Sequence, residues 1–162
     1  MSDSTKKLIR RIILYALILL LLYVLQATVF PRLRIWGVAP LILPIFVVGI
    51  ALFDGASWGG GVGLAAGVLC DFAFSGSVVF FTILLTVIGV GLGLASTYLL
   101  NRGRLTYMLC VVIALFTIAF LQMFPFLVFD RVTPFALLHV ALLQSLYSLL
   151  FALPIYYLIP KQ

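Results

Sequence analysis

The chain of 162 residues contains no glutamate, one histidine and two cysteines, and only 9% of its positions are charged. A soluble domain carries roughly a quarter charged residues, because its surface has to be wetted. So little charge excludes a water-covered globule, a disordered chain and a nucleic-acid module, all of which depend on charge. Two cysteines exclude a disulfide-framed secreted domain, and glycine without a three-residue period excludes collagen. What is present is apolar: 65% of the residues are hydrophobic and the mean hydropathy is +1.34. That composition belongs to an integral membrane protein.

The few charges divide the chain. Between Arg11, Arg32 and Arg34, Asp54, Asp71, Arg102 and Arg104, Asp130 and Arg131, and Lys161 lie six uncharged windows of 20, 19, 16, 30, 25 and 29 residues. A helix crossing the hydrocarbon needs about 20 residues. The third window is short because Asp71 closes it, and its apolar pattern continues to Phe74 before Ser75-Gly76-Ser77. The windows predict an all-α membrane protein, one domain over 1–162, with helices at 12–30, 38–53, 57–74, 79–100, 106–129 and 134–158. Strands of a membrane barrel would alternate apolar and polar residues in runs of about 10, which these windows do not. Pro31 and Gly37, Asp54-Gly55, Asn101 to Gly103 and Thr133-Pro134 mark the turns.

Orientation follows from the basic residues of short loops. With the N-terminus inside, Lys6, Lys7, Arg10, Arg11, Arg102, Arg104 and Lys161 stand inside against Arg32, Arg34 and Arg131 outside. Seven to three predicts a bundle of six membrane helices with both termini in the cytoplasm. Tyr98, Tyr107, Tyr156, Tyr157 and Trp58 are then expected at the inner interface and Trp36 at the outer one. The first apolar run continues to Phe30, longer than a signal-peptide core, which predicts an uncleaved helix. The net charge of +6 reads as this inner rim, with attraction to anionic membrane lipid and no nucleic-acid site.

Few residues are equipped for chemistry. Cys70 and Cys110 are expected on opposite sides of the membrane, which predicts neither a disulfide nor a shared metal site. Asp54 stands where the third helix should begin, as an acidic cap. Asp71 follows 17 residues later, a rise of about 25 Å along the helix. An intramembrane carboxylate is costly unless paired, hydrated or protonated, so Asp71 is a functional candidate. A structural alternative pairs it with Arg32, Arg34 or Arg131. His139 falls one to two turns into the sixth helix, at a similar expected depth, where a lone histidine on an apolar helix more often packs than binds a ligand. Gln26, Gln122 and Gln144 suit interhelical hydrogen bonds.

The third helix is rich in glycine. Gly55, Gly59, Gly63 and Gly67 recur every four residues, the small-residue spacing that lets helix backbones approach closely in lipid. Gly60, Gly63, Gly67 and Asp71 share one face, and Gly89 and Gly93 repeat the device in the fourth helix. This predicts that helices three and four are core helices. A dinucleotide fingerprint is excluded, because no strand precedes the glycines. Gly59, Gly60, Gly63, Gly67, Asp71, Gln26 and Pro40, which opens the second helix, are the candidates for helix packing or partner binding. Pro125 and Pro154 interrupt helices five and six.

Gly63-Leu64-Ala65-Ala66-Gly67-Val68-Leu69-Cys70-Asp71 resembles the G-F-x-x-G-L-x-x-D signature of the rod shape-determining protein MreD family. The surroundings are similar too: a basic N-terminus, Leu25-Gln26 before Pro31, Gly37-Val38-Ala39-Pro40, and Phe53-Asp54-Gly55 before the glycine-rich helix. Leu41 stands where members often carry an acid, and Leu64 where phenylalanine is commoner. The resemblance implies a non-enzymatic component of the bacterial cell-elongation machinery in the inner membrane, without cofactor or metal. Its implied partner is MreC, and through MreC the MreB cytoskeleton and the peptidoglycan synthase formed by RodA and a class B penicillin-binding protein. The family also resembles the six-helix substrate-binding components of energy-coupling factor vitamin transporters, which implies an outward-facing pocket near Asp71, with Asp71 and His139 as its candidate residues. The alternatives are such a vitamin-binding subunit, disfavoured by short loops poor in polar residues, and an intramembrane enzyme built on Asp71 and His139.

Overall fold

A computed structural model describes residues 3–29, 32, 41–73, 80–98, 103–129 and 134–159. It is all-helical among the described residues: α1 (Asp3–Thr28), α2 (Leu43–Asp54), α3 (Ala56–Ala73), α4 (Phe80–Tyr98), α5 (Arg104–Phe129) and α6 (Pro134–Leu158). Pro40, Trp36, Arg34 and Ser75-Gly76-Ser77 lie outside the described residues.

Among the described residues four helices, α1, α4, α5 and α6, are long and apolar enough to cross a membrane. Their outward faces remain apolar: Leu17, Ile83, Ile113 and Leu146 are each more than 60% exposed. Helices that are apolar on every side need a non-aqueous surrounding, and a helical membrane protein supplies the reason. α1 starts well before the expected position 12, because Lys6, Lys7, Arg10 and Arg11 are good helix formers that prolong the apolar helix at its end.

α2 differs from its expected role. Its 12 residues rise about 18 Å, short of a hydrocarbon core of about 30 Å. Every residue from Leu43 to Leu52 is buried. The centre of the molecule is therefore α2, against which α3, α4, α5, α1 and α6 all pack. α3 and α4 each turn one face inward and leave the other open, with Leu64 and Val87 exposed. Pro44 in the first turn of α2 fixes its start, since proline there loses no helical hydrogen bond.

α3 and α4 form the most intimate pair of the bundle. Their register is antiparallel with matched steps of four. A methyl group placed on Gly59 would stand 2.6 Å from the Gly89 carbonyl oxygen, on Gly63 2.5 Å from that of Leu85, and on Gly67 2.7 Å from that of Phe81. Gly93 meets the backbone of Ala56 in the same series. Only glycine permits carbonyl-to-backbone contact along three turns, which is why the pattern repeats every four residues. Gly60 meets only the Val90 side chain, and Gly61 and Gly91 meet nothing. Gly55 serves the chain path instead, since its φ of 90° makes the sharp turn from α2 into α3.

Candidate functional site

An apolar bundle is defined by where it keeps its polar groups, and here three clusters tie the helices at their ends. The first is Asp71, in the last turn of α3. Its Oδ1 accepts from the Phe81 backbone N–H at 2.9 Å, and its Oδ2 accepts from the Thr82 N–H at 3.0 Å and the Thr82 hydroxyl at 2.7 Å. The first N–H groups of any helix lack intrahelical partners and carry its positive dipole end. Asp71 therefore caps α4 from the neighbouring helix, closing the α3–α4 hairpin. Its oxygens are directed at these groups, and Arg32 is not paired with it. Arg34 and Arg131 lie outside the described residues.

The second cluster does the same for α2. Gln26 Oε1, on α1, accepts from the N–H groups of Ile42 and Leu43, each at 3.0 Å. Ser148 Oγ, on α6, accepts from the Leu41 N–H at 3.1 Å. Gln26 is 6% exposed and Ser148 fully buried, so the start of this central helix is satisfied without water. Gln26 Nε2 has no hydrogen-bond partner among the described residues.

The third cluster stands at the opposite end. Asp54 is the last residue of α2, where an acid opposes the helix dipole. Arg11 of α1 supplies the compensating cation in an ion pair, and the Tyr15 hydroxyl donates to the other carboxylate oxygen. The Arg11 guanidinium lies 5.1 Å from the Trp58 ring centroid and 5.6 Å from that of Tyr15. The two rings meet edge to face, and their contacts support a cation whose carboxylate partner is only 5% exposed. Asp54 is thus not the cap of α3, and Trp58 packs on Arg11 rather than serving only in an interfacial belt. Tyr107 and Tyr156 likewise turn inward, stacking with each other and with Phe53, while Tyr98 and Tyr157 stay exposed.

The remaining candidates are separate. His139 is exposed on α6, and α6 does not pack against α3 among the described residues, so the structure does not bring His139 to Asp71. Cys70 and Cys110 are free and buried, on helices that do not pack together. No three of His, Cys, Asp and Glu converge as metal ligands among the described residues. Pro154 stands inside α6, exposed, and the helix continues past it. Sequence reasoning does not single out Tyr15, Thr82 or Ser148. Only Tyr15 offers a local signal, one helical turn from Arg11 on the same face.

An apolar groove of about 220 Å³ opens between α1 and α3, lined by Ile12, Ala16, Leu19, Trp58, Gly61 and Ala65 among others. The hydroxyl-bearing residues among its lining are Ser57 and Tyr15, and the Tyr15 hydroxyl is engaged with Asp54. Among the described residues the polar side chains of the three clusters close helix ends, and the outer faces are apolar. No family model, no curated protein and no solved structure matches the chain.

Proposed function

We propose that this chain is a non-enzymatic membrane scaffold of the bacterial cell-elongation machinery, an MreD-like protein of the inner membrane with both termini in the cytoplasm. The observation that carries the reading is the use made of the residues behind the resemblance. Gly63 and Gly67 give α4 its close approach, and Asp71 caps α4. A signature spent on packing one helix hairpin suits a protein that works by shape and association. In this reading a one-helix MreC protein docks on the apolar outer faces, and the shape-determining filament MreB, RodA and a class B penicillin-binding protein are reached through it.

Depletion of the chain from a rod-shaped host tests the proposal. Cells should widen and round within a few generations while the membrane content of vitamins stays unchanged. Rods that keep their width contradict it. A vitamin retained by the purified chain at one copy per protein would instead support the transporter subunit.

A further inference from the structure

The first turns of α1 carry charge that the bundle does not use. Lys6 and Arg10 stand one helical turn apart on one face, both exposed. Among the described residues the single ion pair is Arg11–Asp54, on another face of α1, so neither Lys6 nor Arg10 has a carboxylate partner. Ile9 and Ile13 lie beside them, 41% and 58% exposed, and the four side chains line a shallow hollow of about 280 Å³. Beyond it the same face continues as exposed Leu17 and Leu20. It is opposite the Tyr15, Leu22 and Gln26 face that packs into the bundle.

Along this face, then, two unpaired cations are followed by an uninterrupted aliphatic stripe. The order matches one molecule of a bilayer: an anionic headgroup followed by an acyl chain. We propose that the hollow binds one anionic phospholipid, with its phosphodiester between Lys6 and Arg10 and its chain along Ile13 and Leu17. Charge selects the lipid, because the cation of a zwitterionic headgroup is repelled by the two side chains. The site is independent of the proposed role in cell elongation.

Native mass spectrometry of the full chain in detergent, titrated with phosphatidylglycerol or phosphatidylcholine, tests this. One phosphatidylglycerol should be retained in clear preference to phosphatidylcholine. Lys6→Gln with Arg10→Gln should weaken it about thirtyfold, each cation contributing about fivefold. Lys6→Arg with Arg10→Lys, which keeps both charges, should retain it. Arg104→Gln removes an exposed cation at the same end, on α5, and should leave affinity within about twofold of the parent. Equal retention of the two lipids, an unchanged double variant, or an equal loss in Arg104→Gln overturns the site. So does displacement by millimolar inorganic phosphate, since the acyl chain would then contribute nothing.

Discussion

Asp71 accepts three hydrogen bonds from the start of α4, and each would be missed differently. Asp71→Ala leaves the Phe81 and Thr82 N–H groups unpaired and should destabilise the protein by about 2–3 kcal/mol. Asp71→Asn keeps one acceptor oxygen and should lose about 1 kcal/mol. Thermal unfolding in detergent reads the order, and equal losses would show that the carboxylate does not act as the cap. The glycines divide just as sharply. Gly67→Val forces a branched side chain into the α4 backbone, with an expected loss of at least about 3 kcal/mol. Gly61→Ala enters open space and should stay within about 0.5 kcal/mol of the parent, on the same melts.

At the scale of elements, α1 is the helix held by its ends. Between the Gln26 contacts and the Arg11–Asp54 pair lies the groove against α3, so the two polar ties set its position. Asp54→Ala strands a guanidinium that is only 24% exposed, and should cost about 1–2 kcal/mol, below the value for a fully buried pair. Combining it with Arg11→Met should recover part of that loss, and a double-mutant cycle in chemical unfolding measures the coupling. Strict additivity would mean that the pair does not hold α1. Most helices are legible in the sequence because charge interrupts each apolar run. The short α2 is not, because Pro40 and Pro44 both suit a helix start and only the latter lies in the first turn of the described helix. Asp54 is hard to place for a related reason. With Gly55 between two helices it fits either one, and the deciding residue, Arg11, stands 43 positions away. The glycine spacing marks the α3 face directly, whereas the acceptor role of Asp71 needs the antiparallel register of α4.

The whole molecule is a set of apolar helices packed around a buried half-length one, with polar groups spent on helix ends. A surface of exposed leucine, isoleucine and phenylalanine is stable only in lipid or against other membrane helices. Seven Lys and Arg on the side of the termini and the Arg102–Arg104 loop, against three on the other, lead us to place both termini in the cytoplasm, and reporter fusions at residues 1 and 162 should both report that side. Reporters on opposite sides would contradict the proposed orientation. Association is where the functional proposal is most exposed to test. Affinity purification of the tagged chain from detergent-solubilised host membranes, with the recovered proteins identified by mass spectrometry, should yield an MreC-type protein with one membrane helix in comparable amount. Recovery of a transporter ATPase pair in its place, with no such protein, would contradict the account.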